Sequence, residues 1–233
     1  MVKTELIKKS PLRKLETAIG GAVGKSNIAV IASKKGIGKT ACLVHISTDK
    51  LMRGRHVIHV SYSNRVDHII SWYEDIFKEI SRRRDLEDAM DVHDELIHNR
   101  VIMNFNQRGI SVEQVLNSVK AMMENGLPNT DCVIIDGYDF TIGHEDDIKK
   151  FKEFAVSSNI ELWFSDSYQK DSDYLDSRGI PLNLVEYLDY ISVIVTMHAD
   201  KDSMILKLVK DHDKIIQEDL SLRLDPKTLL ISD

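Results

Sequence analysis

The chain has 233 residues, 42% of them hydrophobic and 29% charged, with a formal net charge of −6. That balance excludes an intrinsically disordered chain and supplies enough apolar surface for one α/β domain or two small ones. The negative charge argues against a dedicated duplex-DNA binder. No apolar run reaches membrane-span length and the start, MVKTELIKKS, is too charged for a secretory leader, so a cytoplasmic protein without a membrane partner is expected.

Residues 1–26 read as a lead-in segment, helical or irregular over 4–18 and interrupted at Pro11. Residues 27–233 read as one domain. NIAVIA (27–32) is a short apolar run of β-formers and predicts a buried strand, followed by a helix over 41–52 that stops near Gly54. HVIHVS (56–61) predicts a second strand. From Val66, apolar residues at 69, 70, 73, 76, 77 and 80 have helical spacing, and the charged stretch 82–98 reads as surface helix. RVIMNF (100–105) predicts a strand. Ser111 with Gln114 predicts a capping box opening a helix that Gly126 closes. DCVIID (131–136) reads as a buried strand, 145–157 as a helix whose acidic start, Glu145-Asp146-Asp147, suits the N-terminal dipole, and IELWFS (160–165) as a strand. After a variable loop with Pro181, residues 190–197 and 204–210 predict a hairpin across HADKDS. Strands alternating with helices imply an α/β fold: a mainly parallel central sheet covered on both faces, with an antiparallel C-terminal hairpin.

Gly-Lys-Ser/Thr occurs twice, at Lys25-Ser26 and at Lys39-Thr40. A phosphate-binding loop needs a buried strand to deliver it and a helix starting at the lysine, so that unpaired N–H groups and the helix dipole meet the phosphates. Lys25 has neither flank and reads as a solvated loop. Lys39 has both. The expected loop is therefore Ser33, Lys34, Lys35, Gly36, Ile37, Gly38, Lys39 and Thr40, with Ala41 as the next helical residue. It fits G-x-x-x-x-G-K-[ST] except that Ser33 stands at the first glycine, a position serine can occupy if its φ is negative. Lys39 would reach the β- and γ-phosphates of ATP, and Thr40 Oγ1 would ligate Mg²⁺. In CVIIDGYDF (132–140) four apolar residues lead to Asp136, which reads as a Walker B carboxylate holding the Mg²⁺ shell opposite Thr40.

With these motifs in this order the chain resembles the RecA-like P-loop ATPases, especially the KaiC and DnaB-helicase branches. The resemblance spans residues 27–231: the phosphate loop, VIHVSYSNRVDHIISWYEDIF, the strand and helix from RVIMNF to Met123, CVIIDGYDF, and the C-terminal hairpin ending in LVKDHD. It implies a three-layer P-loop NTPase fold and a strand pair that carries a Lys-x-Arg finger. This chain departs from it twice. Ser61-Tyr62-Ser63 stands where the family places a catalytic glutamate, with Asp67 one turn further on, and Gly137 rather than a glutamate follows Asp136. Lys210 matches the family lysine, but His212 stands at the arginine-finger position, where a histidine replaces a fixed planar cation poorly. Losing such a finger costs on the order of 10³-fold or more in rate.

The expectation is thus an ATP- and Mg²⁺-binding regulatory or assembly module with weak or absent hydrolysis, whose nucleotide state changes its affinity for a protein partner. One alternative is an active ATPase forming rings or filaments, a homo-oligomer with nucleotide between subunits, acting on nucleic acid or protein. A second is a relic with an empty pocket. A third is a MinD/ParA-like deviant Walker ATPase with Lys34 as signature lysine, against which Lys35 replaces a glycine. Nucleic acid is the less favoured partner, because Arg82-Arg83-Arg84 is followed at once by acidic residues. The nine histidines include no metal-site spacing, Trp72 and Trp163 read as core, and Cys42 and Cys132, each in an apolar run, read as buried thiols.

Overall fold

The computed structural model describes residues 11–19, 21–62, 66–82, 86–168, 174–200, 203–216 and 222–224. In chain order the elements are α1 (Pro11–Ala18), β1 (Ile28–Lys34), α2 (Lys39–Met52), β2 (His56–Ser61), α3 (Val66–Arg82), α4 (Leu86–His98) and β3 (Arg100–Asn104). There follow α5 (Val112–Asn125), β4 (Thr130–Asp136), α6 (Glu145–Ser158), β5 (Glu161–Tyr168), a 3₁₀ helix (Leu182–Tyr187), β6 (Val193–Asp200), β7 (Ser203–Asp211), β8 (Lys214–Ile215) and β9 (Leu222–Leu224).

Among these residues nine strands form one sheet in the order β3-β2-β4-β5-β1-β6-β7-β8, with β9 paired to β7. The strands from β3 to β6 are mutually parallel. β7 returns antiparallel to β6, with Met197 opposite Leu206. This is the expected mainly parallel α/β sheet with an antiparallel hairpin at its end.

Period-two alternation along the strands divides the core. Ala29, Ile31, Ile134 and Trp163 face α1, α2, α3 and α4, whereas Val30, Ala32, Ile135 and Phe164 face α5, α6 and the 3₁₀ helix. Central strands covered on both sides are apolar at nearly every position, which is why NIAVIA and DCVIID read as strands without alternation. Within the expected lead-in, Leu15, Ile19 and Val23 are buried in the same core, and Arg13 ties α1 to Asp49 of α2 at 2.6 Å. Trp163 is fully buried, Trp72 packs against the core, and both cysteines are buried free thiols. Burial pushes the Cys42 thiol up to about 12, so it is inert at neutral pH.

Two local expectations, on the extent of β5 and on the loop around Pro181, are corrected. Pro11 is the first residue of α1, where its fixed φ and missing N–H suit a first turn, and the part of the lead-in before it lies outside the described residues. Gly126 closes α5 as expected, at φ −123°, and Asn159 supplies a left-handed turn after α6 at φ 51°. β5 runs beyond residue 165 to Tyr168, and the loop around Pro181 contains the 3₁₀ helix. The Ser111–Gln114 capping box is present in both directions.

Candidate functional site

β1 lies where the sheet divides, with β5, β4, β2 and β3 on one side and β6 and β7 on the other. In open α/β sheets the crevice beyond the carboxyl ends of the strands at such a point is the usual ligand site. The loop from Ser33 to Lys39 occupies that place.

Two residues in it need a left-handed backbone. Gly36 has φ 85°, and a Cβ there would meet nothing within 4 Å, so conformation rather than space demands glycine. Gly38, at φ 110°, is the residue from which α2 starts. The first helical bond runs from Cys42 N–H to Gly38 O at 3.0 Å, leaving the amides of Lys39, Thr40 and Ala41 ahead of the helical ladder at the positive end of a 14-residue helix.

Lys39 is only 7% exposed. Its Nζ donates to Ser33 O, Ser33 Oγ and Lys34 O, each at 3.1 Å. Burial lowers the ammonium to about 8, against the pull of Asp166 and then Asp136. Ser33 is not among the described residues with positive φ, and its hydroxyl is one of the three oxygens on Lys39, so the departure from glycine has a use. Ile37 packs against the core, Lys35 is exposed, and Lys34 Nζ lies 5.4 Å from the centroid of the Tyr174 ring.

The fold brings Thr40 and Asp136 together across 96 residues of sequence: Thr40 Oγ1 donates to Asp136 Oδ2 at 2.9 Å. The other oxygen, Oδ1, accepts from Ser165 Oγ at 2.7 Å, and Ser165 in turn accepts the Gly137 N–H at 2.8 Å. Asp136 is thus buried but held by two hydroxyls. A hydroxyl and a carboxylate at one point are hard oxygen donors of the kind Mg²⁺ takes. No group of three or more His, Cys, Asp or Glu side chains is placed to hold a metal among the described residues, so an ion here would draw its remaining ligands from phosphate and water. All nine expected loop residues and Asp136 therefore lie in one place.

Asp166, on the last turnward stretch of β5, has no counterpart in the sequence reading. It pairs in register with Ala32, one residue before the loop, and is 1% exposed. Oδ1 accepts a long bond from Asn183 Nδ2 at 3.4 Å, while the buried Oδ2 has no hydrogen-bond partner. Burial raises its carboxyl to about 6, with Asn183 and Lys39 pulling the other way. The only sequence signal was a polar Ser-Asp pair directly after IELWF.

Other expected residues lie elsewhere. Lys25 sits in an exposed loop before β1, 3.2 Å from Asp131. Lys210 and His212 stand at the end of β7 that faces the start of β1; Lys210 donates to Ile191 O, and His212 contacts Asp211 and the Val23 carbonyl. Asp67 is exposed in the first turn of α3. Ser63, Arg83 and Arg84 lie outside the described residues.

No protein-family model and no curated protein matches this chain.

Proposed function

We propose that the chain is a RecA-like P-loop protein that binds ATP with Mg²⁺ through residues 33–41 and acts as a nucleotide-dependent regulatory or assembly module with weak or absent hydrolysis. The observation that carries this is the joint placement of Lys39, Thr40 and Asp136 around the start of α2. The element order supports it: strand, loop and helix first, a strand and long helix next, then β3, α5 and the Asp136 strand, with a closing hairpin. In this reading Lys39 exchanges its three oxygen partners for phosphate oxygens, the amides of residues 39–41 bind phosphate, and Thr40 and Asp136 hold the ion, which neutralises phosphate charge. The nucleotide is proposed to change the chain's affinity for a protein partner or a second copy.

Asp166 favours a second reading, an active ATPase. It places a carboxylate beside Lys39 that titrates close to neutrality, as a general base must, in a site otherwise without the family glutamate.

Melting with and without ATP–Mg²⁺ tests both. Ligand at about 100 times its dissociation constant adds about 2.7 kcal/mol to stability, and Lys39→Ala is expected to abolish that gain. An unchanged melting temperature for the parent chain overturns the proposal. Steady-state turnover is expected well below about 1 s⁻¹, the lower end of ordinary enzymes. Faster turnover that collapses in Asp166→Asn selects the ATPase reading instead.

A further inference from the structure

A second cleft lies at the other end of the sheet. It opens beside the start of β1, β2, β4 and β5 and the last turn of α2, roughly 20 Å from the phosphate loop if the seven residues of β1 are counted at about 3.3 Å each. Its volume is about 220 Å³, several times the roughly 30 Å³ that one water occupies in the liquid. The Gly24-Lys25 half of the other Gly-Lys-Ser lines it, with Gly24 at φ 86°.

The charges around it do not balance in pairs. Glu161 is held by Lys50 at 2.9 Å. Glu16 is held by Arg13 at 2.5 Å, and the neighbouring Asp49 by the same guanidinium at 2.6 Å. Asp131 serves two cations at nearly equal distance, Lys25 at 3.2 Å and Arg55 at 3.4 Å. Arg53 comes no nearer than 3.8 Å to Glu16 or Asp49, each of which Arg13 holds more closely, and makes no side-chain hydrogen bond among the described residues. Lys25, Arg53 and Arg55 keep 51%, 38% and 53% of their side chains exposed. Once each carboxylate has its nearest cation, one guanidinium and one of the Asp131 pair still carry unspent donors facing the cleft.

We infer that this cleft binds a dianionic phosphate group, with Arg53 and Arg55 as its fork-shaped donors and Lys25 as a third cation. Guanidinium suits this because it presents paired donors to phosphate oxygens, and the Lys50–Glu161 pair forms a fixed floor. The inference stands independently of nucleotide binding at the loop. The group is either free phosphate or the terminus of a small phosphorylated compound.

The test uses the Lys39→Ala chain, so that the loop lysine contributes nothing, at constant ionic strength. Backbone amide shifts are followed by NMR while inorganic phosphate, and separately glycerol 3-phosphate, is added. Saturable shifts at Gly24, Lys25, Arg53, Gly54 and Arg55 are expected with at least one probe, and the tighter one names the source. Arg53→Gln with Arg55→Gln, both half-exposed changes, is expected to weaken binding at least about tenfold, the loss of a charge-assisted hydrogen bond. Shifts that fail to saturate, that fall only in residues 36–41, or that persist with equal affinity in the double variant overturn the inference.

Discussion

Replacing Glu161 is expected to destabilise the fold by about 3–5 kcal/mol. Glu161 opens β5 and is 5% exposed, and Lys50, near the end of α2, is 8% exposed. Their 2.9 Å contact joins the helix that begins at Lys39 to the strand that carries Asp166. The second oxygen of Glu161 accepts the indole N–H of Trp163, the largest fully buried side chain. Removing one member of a buried ion pair leaves the other charge without compensation and costs about 3–5 kcal/mol. Glu161→Gln separates the contributions, because it keeps an acceptor for Trp163 while stranding the Lys50 ammonium. Glu161→Ala is expected to be worse, since the indole donor is stranded as well. Urea unfolding with an unchanged slope reads the loss. Lys50→Met in the Glu161→Gln background is expected to recover most of it, because no buried charge then remains. Failure to recover would mean that the cost lies in packing around Trp163 rather than in the charge.

The same strand shows what could be read in the sequence and what could not. β1, β2 and β4 were legible because strands buried on both faces are continuous apolar runs, and HVIHVS matches β2 residue for residue. The loop from Ser33 to Lys39 was legible as a connection between a strand and a helix because its signals are local: two glycines, a lysine and a threonine. Asp136 was legible only as an acid at a strand end; that it meets Thr40 follows from β4 lying two strands from β1. Asp166 was not legible, since nothing in Ser-Asp-Ser-Tyr marks continued pairing. The extension of β5 exists because β1 runs on beside it, Ser33 against Ser167 and Lys34 against Tyr168. The 3₁₀ helix is too short to show a period, and β8 and β9 are two and three residues long. The charge imbalance around Lys25, Arg53 and Arg55 involves residues far apart in sequence, from Glu16 to Glu161, and exists only once the strand starts are aligned.

The other large effect concerns pH and turns on two buried groups with opposite signs. His59 of β2 is fully buried; its Nδ1 lies 3.1 Å from Tyr73 Oη, which donates to Ser47 at 2.6 Å, and its Nε2 has no hydrogen-bond partner. Burial depresses its pKa from 6.5 to about 4, partly opposed by Asp136. As pH falls through 6.5 the unfolded chain takes the proton first, so the stability His59 contributes is present above 6.5 and lost toward 4, about 3 kcal/mol in all. Asp166 has the reverse sign. Its folded value, about 6, lies above the ordinary 3.8, so the folded chain takes the proton first. Its contribution is complete below 3.8 and lost as pH rises through 6, again about 3 kcal/mol. The two windows overlap, and each group masks the other between about 4 and 6. Asp166→Asn is expected to stabilise the chain by about 3 kcal/mol at pH 7.5 and to match the parent near pH 4, because asparagine imitates the protonated acid. His59→Gln is expected to remove the opposite slope, so that relative to the parent it gains stability as pH falls from 7 to 4. Urea midpoints for both variants across pH 4–8 check this, and parallel curves for parent and Asp166→Asn would contradict it.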